Sequence, residues 1–190
     1  MNITEDTPVV RYSIPAIALH WLIALQITIV AGLGFYMADL PDASSARQLL
    51  FDWHRWLGVT AFLLIVLRVL WRSMHKPPSL VSGMSKLQRI AASASHLALS
   101  VLMIAAPLTG YLLTNNAGEA VNVFGWALPP LIGPDPRLVK LFEGIHTYVV
   151  YSLIGFTALH ILAAMKHHFF DRDETLARMI PGLRVKKRGV

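Results

Sequence analysis

The chain has 190 residues, 55% of them hydrophobic and 15% charged, with a formal net charge of +6. Its mean hydropathy of +0.52 excludes an ordinary soluble domain, in which about 45–50% of residues are apolar and about 25% charged. Cysteine is absent, which excludes disulfides, thiolate metal sites and cysteine-ligated iron–sulfur clusters and leaves histidine, carboxylate or methionine as metal ligands.

The first predicted element is a transmembrane helix over Ile14–Ala38. No Asp, Glu, Lys or Arg occurs from Ile14 to Met37, and about 20 apolar residues suffice to cross a hydrocarbon core. The run is too long for a signal h-region and lacks a small-residue cleavage site, so it is expected to be retained. A second span, over Trp53–Trp71, opens on Trp53, His54, Arg55 and Trp56, whose indoles suit a membrane interface. Its uncharged stretch runs only from Trp56 to Leu67, so Arg68 and Arg72 must snorkel toward one surface. The third span covers Leu87–Leu113 and carries His96. The loop after it holds an apolar, Pro- and Gly-containing stretch from Phe124 to Ile132, which is expected to pack as a lid over the outer mouth of the bundle. The fourth span, Phe142–Phe169, carries His146, His160 and His167. Beyond it, Asp171 and Glu174 have capping-box spacing, and Leu176, Met179 and Ile180 precede Pro181 and Gly182, predicting a short interfacial helix over about residues 172–180. No internal repeat is evident. Residues 1–190 thus read as one domain, an all-α, integral membrane four-helix bundle in the lipid bilayer.

Charge gives the orientation. Four spans place the N-terminus, the loop around Lys76–Lys86 and the C-terminal tail on one side. That side collects Arg11, Arg68, Arg72, Lys76, Lys86, Arg89, Lys166, Arg172, Arg178, Arg184, Lys186, Lys187 and Arg188, whereas the other holds only Arg47, Arg55, Arg137 and Lys140. The positive-inside rule therefore puts both termini in the cytoplasm. The basic balance calls for no nucleic-acid partner.

Of the eight histidines, His20, His54, His96, His146 and His160 lie well inside predicted spans. Ionisable groups in a bilayer are costly and face the interior with a partner, and imidazole recovers that cost by binding iron. Depth pairs them. His20, early in span one, and His160, late in span four, share the cytoplasmic level; His54 and His146 share the outer level. The fourteen residues from His146 to His160 return to nearly the same helix face while separating the two by about 21 Å. One helix thus offers a ligand to each of two stacked haems, both held by two histidines and lacking an open axial position, which suits electron transfer. A haem-free transporter or proton channel lined by the same histidines is the alternative of another class; a shared zinc site is disfavoured because the pairs lie at different depths.

The remaining candidates have more than one reading. His96 could replace His20 as a ligand, line a quinone pocket or satisfy a core hydrogen bond. His167 lies one further pair of turns toward the cytoplasm, about 10 Å below His160, where a quinone headgroup or proton donor would sit. Arg72, with Arg11, Arg68 and Arg89, could bind the propionates of a cytoplasmic haem or act as an anchor. Arg55, Arg47, Arg137 and Lys140 form the external basic set, able to neutralise outer propionates or steer a small anion. Gly32, Gly34, Gly58, Gly144, Gly155 and Ala158 could let a flat macrocycle approach the backbone.

Taken together, Leu19-His20-Trp21, Trp53-His54-Arg55, Ser95-His96-Leu97, the run Pro107-Leu108-Thr109-Gly110-Tyr111, Phe124-Gly125 ahead of Pro129, the pair His146 and His160, and the closing His167-His168-Phe169 resemble the bacterial cytochrome b561 family. The resemblance runs from about Arg11 to Pro181. It implies two haem b groups, held by His20 with His160 and by His54 with His146. It further implies a quinone site near the cytoplasmic haem, where His167 matches a family position. Stand-alone members include superoxide oxidase, which oxidises periplasmic superoxide and reduces ubiquinone. The resemblance therefore implies an oxidoreductase of the bacterial inner membrane with that activity, or a quinone-linked cytochrome b carrier that exchanges electrons with a separate periplasmic redox protein.

Overall fold

The computed structural model describes residues 9–41, 43–79, 81, 83–123 and 125–183. Four long helices dominate: α1 Ile14–Ala38, α2 Ser45–Met74, α3 Lys86–Asn116 and α4 Val139–Lys166. All four are long and apolar enough to cross a membrane. They pack as two antiparallel hairpins, α1 with α2 and α3 with α4, and the hairpins meet mainly through α2 against α3. Phe35 and Tyr151, with ring centres 5.6 Å apart, bring α1 against α4.

Local sequence sets the helix ends. Pro15 sits in the first turn of α1, where its missing N–H costs nothing. A capping box opens α3: the Gln88 N–H donates to Ser85 Oγ at 3.2 Å, and the Ser85 N–H donates to Gln88 Oε1 at 2.8 Å. The helices outrun their apolar cores. α2 begins at Ser45 rather than near Trp53, because the stretch from Arg47 to Asp52 is helix-compatible and the helix continues through it. Leu22, Leu25, Leu63, Leu67, Leu159 and Leu162 are exposed on the bundle surface, as lipid-facing positions are.

The segment between α3 and α4 folds back on the bundle end. Asn122–Val123 pairs antiparallel with Trp126–Ala127, turning through Gly125 at φ +83°, a conformation glycine adopts without strain. Phe124 lies outside the described residues. The Tyr111 hydroxyl donates to the Pro129 carbonyl at 2.8 Å and the Leu131 N–H to Asn115 Oδ1 at 2.8 Å. The Trp56 indole donates to the Asn122 carbonyl. The expected lid is thus tied to the ends of α2 and α3.

At the opposite end, α4 continues into a π-helical turn, His167–Asp171. The short helix expected over 172–180 does not form. Arg172 adopts a left-handed φ of 53°, which ends the helix, and Asp173 rather than Asp171 captures the next free N–H, that of Thr175, at 2.8 Å. From there to Leu183 the backbone makes only isolated turns. This segment straps the bundle end: the Trp21 indole donates to the Met179 carbonyl at 2.8 Å, the Tyr12 N–H to the Arg178 carbonyl at 3.3 Å, and the Arg178 guanidinium to the Ser79 carbonyl. Ala177 within it is fully buried. Of the basic tail, Arg184, Lys186, Lys187 and Arg188 lie outside the described residues.

Candidate functional site

Two histidine pairs face one another inside the bundle. The ring centres of His54 on α2 and His146 on α4 are 6.3 Å apart, and those of His20 on α1 and His160 on α4 are 6.2 Å apart. An imidazole nitrogen sits about 2 Å from its metal and the ring centre about 1 Å further, so two imidazoles on opposite sides of one iron have centres about 6 Å apart. Both pairs fit that spacing. His96 on α3 is a third imidazole at the inner level, 5.5 Å from His160.

The pair His54 and His146 is held by two sockets of the same design. The His54 Nδ1–H donates to the Val30 carbonyl at 3.0 Å, and a Cβ added to Gly34 would lie 3.1 Å from His54 Cε1. On the other hairpin, His146 Nδ1 lies 3.1 Å from the Thr109 hydroxyl, with the Ala106 carbonyl also in reach; a Cβ on Gly110 would lie 3.1 Å from His146 Cε1. The Thr109 hydroxyl gives its own proton to the Ala105 or Ala106 carbonyl, at 2.8 and 3.0 Å, so it accepts from the ring. In each socket the imidazole lies on a glycine and reaches toward the carbonyl four residues earlier. Engaging Nδ1 in this way fixes the tautomer and leaves Nε2 for a metal.

The inner level differs. Neither His20 nor His160 forms a ring hydrogen bond among the described residues. Arg68 donates to the Ala16 carbonyl at 2.9 Å, one turn before His20. Its charge reaches His20 and His160, and that of Arg72 reaches His96.

Below this level, in the π turn, His167 Nδ1 lies 2.6 Å from Asp173 Oδ2 and 3.1 Å from Asp171 Oδ2. Lys166 holds Asp171 at 2.6 Å. Burial of Asp173 favours its neutral acid, but hydrogen bonds from the Thr175 side chain and N–H and from His167 outweigh it and hold the carboxyl below its usual range. His75 stacks on Trp71 with ring centres 3.8 Å apart, and His168 packs edge-on against Phe169.

The cations expected on the outer side, Arg55, Arg47, Arg137 and Lys140, are engaged locally. Arg55 pairs with Glu119 and lies 3.6 Å from Asp52. Arg137 pairs with Asp135 and Lys140 with Glu143, each at 2.8 Å, and Arg137 holds the Asp135 carboxyl below its usual range. Arg47 donates to the Met37 carbonyl at 3.2 Å, and both Arg47 and Arg55 lie over the Phe51 ring. These carboxylates weaken the steering field expected of the set. Of the small residues, Gly34 packs on a histidine, whereas Gly32, Gly58, Gly144 and Gly155 border open space. Val30 and Ala106 were missed by sequence reasoning, and Thr109 and Gly110 stood in a quoted motif without a role at His146; the recurrence of a glycine four residues after the carbonyl toward which the ring reaches is the signal that could have found them.

A model of the prokaryotic cytochrome b561 family matches residues 11–182. Cytochrome b561 homolog 2 of Escherichia coli (strain K12) is 34% identical over 171 residues, covering 90% of this chain and 91% of that protein. Cytochrome b561 homolog 1 of the same strain is 30% identical over 173 residues, covering 90% and 97%. A probable superoxide oxidase, CybB, of Yersinia pestis is 27% identical over 186 residues, covering 94% and 98%. With its four membrane-crossing helices and its paired interior histidines, the chain belongs to the prokaryotic cytochrome b561 family, the multi-pass, b-type-haem electron-transfer proteins of the bacterial inner membrane.

Proposed function

We propose that the chain holds two b-type haems, one between His54 and His146 near the periplasmic face and one between His20 and His160 near the cytoplasmic face, and carries electrons from superoxide to ubiquinone. The observation that carries the reading is the matched spacing of the two pairs, 6.3 and 6.2 Å between ring centres. Haem supplies the one-electron chemistry. Two imidazoles at each level would hold the group from both sides, and the donor would then react by electron transfer rather than by binding iron. Two superoxide anions give up one electron each and leave as dioxygen, and one ubiquinone takes both electrons with two protons to become ubiquinol. His167, supported by its contact with Asp173, passes a proton to the reduced headgroup, while His96 lines the inner site beside His160 rather than binding its iron, its 5.5 Å separation being the less suited to a shared metal.

Superoxide as donor rests on the likeness to the Yersinia protein, which extends over nearly its whole length. A second reading has its own support: the local neutralisation of the external cations favours a donor that is a separate periplasmic redox protein over a steered anion. Family membership carries b-type haem with it, which leaves the haem-free channel without support. A pyridine haemochrome assay of the detergent-purified chain, followed by mixing with a superoxide source and ubiquinone, tests the proposal. Two haems per chain and dismutase-sensitive haem reduction are expected; haem reduction indifferent to dismutase would move the donor to a protein.

A further inference from the structure

The two histidine levels, taken as two haem sites as proposed above for this chain, differ in ways that bear on the direction of electron flow. At the outer level both imidazoles are anchored through Nδ1, His54 to the Val30 carbonyl at 3.0 Å and His146 to the Thr109 hydroxyl at 3.1 Å. A hydrogen bond accepted from Nδ1–H pushes electron density into the ring and makes Nε2 a stronger donor, which favours ferric over ferrous iron. At the inner level neither His20 nor His160 has such an anchor among the described residues.

Charge acts in the same sense. Arg55, the cation beside the outer pair, is offset by Glu119 and Asp52. Arg68 lies against the inner pair, held by the Ala16 carbonyl, and Arg72 is near His96. Among the described residues neither has a carboxylate within ion-pair distance. In the low dielectric of a bundle interior, uncompensated positive charge favours the added electron.

We propose that the outer site, seated in the Val30–Gly34 and Thr109–Gly110 sockets, is the low-potential haem site and the inner site, beside Arg68 and Arg72, the high-potential one, so that the chain is built to run electrons inward. Val30 and Thr109 are then positioning residues that act through the histidines. The carbonyl at Val30 cannot be removed by substitution, but the Thr109 hydroxyl can.

The experiment is a spectroelectrochemical titration of the haem-loaded full chain, wild type against Thr109→Val, Thr109→Ser and Arg68→Gln. Two resolved steps are expected in the wild type. Thr109→Val raises only the lower midpoint, Thr109→Ser restores it, and Arg68→Gln lowers only the upper midpoint. Should Thr109→Val lose its outer haem, Arg68→Gln alone decides: a fall in the upper step supports the ordering, and a fall in the lower step overturns it. Movement of the upper step in Thr109→Val, or of neither step with both haems retained, overturns the proposal. A wild-type chain with fewer than two haems sinks instead the two-haem reading beneath it.

Discussion

The imidazole of His146 lies flat enough on Gly110 that a methyl group there would come within 3.1 Å of its Cε1, and His54 stands in the same relation to Gly34. Such a separation is tighter than ordinary carbon contacts, and in both cases the ring is tethered on its Nδ1 side. The ring cannot simply slide away from an added side chain.

Gly110→Ala and Gly34→Ala should therefore weaken the outer haem site selectively. Alanine gains about 1 kcal/mol of helix propensity over glycine, whereas overpacking at a tethered contact costs about 1–3 kcal/mol. The two offset one another in global stability, so the thermal midpoint should move little. Haem count and low-temperature spectra report the effect: the outer haem is lost or its axial geometry altered, and the inner one is unchanged. An equal loss at both levels would contradict the socket.

His20→Ala and His96→Ala separate the two candidates that share His160. The ring centres of His20 and His160 are 6.2 Å apart and those of His96 and His160 5.5 Å apart, and the former fits two imidazoles across one iron. We expect His20→Ala to lose the inner haem and His96→Ala to keep both, as read by pyridine haemochrome. The opposite pattern would exchange their roles.

The four helices and the facing of His54 with His146 were legible in the sequence because charge-free runs and depth in a bilayer are one-dimensional quantities. The sockets were not. They join residues 24 and 37 positions apart across helix pairs, and their one local mark is the glycine four residues after each carbonyl, Gly34 after Val30 and Gly110 after Ala106. The start of α2 at Ser45 was missed because hydropathy marks where the hydrocarbon begins and not where the helix does. The segment 172–180 was misread because Asp171 and Glu174 have capping-box spacing, while the Asp171 carboxylate is engaged by Lys166 and Asp173 accepts from the Thr175 N–H. The Ser85–Gln88 box at the start of α3 has the same kind of spacing and does form, its Ser85 hydroxyl accepting from the Gln88 N–H.

Trp21→Phe tests the strap. The substitution removes the indole donor to the Met179 carbonyl with little change of shape, costing about 1 kcal/mol of local hydrogen bonding. Limited proteolysis in detergent should cut the C-terminal segment several-fold faster than in the wild type, with haem content intact. Unchanged cleavage would place the hold on Tyr12 and Arg178 instead.

Asp173→Asn tests the His167 end of the bundle through pH. The Asp173 carboxyl is held below its usual range, so its ionised form is the one the fold favours. The stabilisation it provides is fully present above the unfolded value of about 3.9 and is lost only as pH falls through the lower folded value. From pH 8 down to pH 5 the Asp173 carboxylate, 2.6 Å from His167 Nδ1, stays charged. Reoxidation of pre-reduced haem by a soluble ubiquinone analogue should accordingly show no inflection from this group in that window and should fall off only in stronger acid. Asparagine removes the charge at every pH. The variant should therefore show at pH 7 a several-fold slowing like that of the wild type in acid, with both haems bound and their reduction from the outer side at the normal rate. A variant that reoxidises at the wild-type rate would detach His167 and Asp173 from the quinone step.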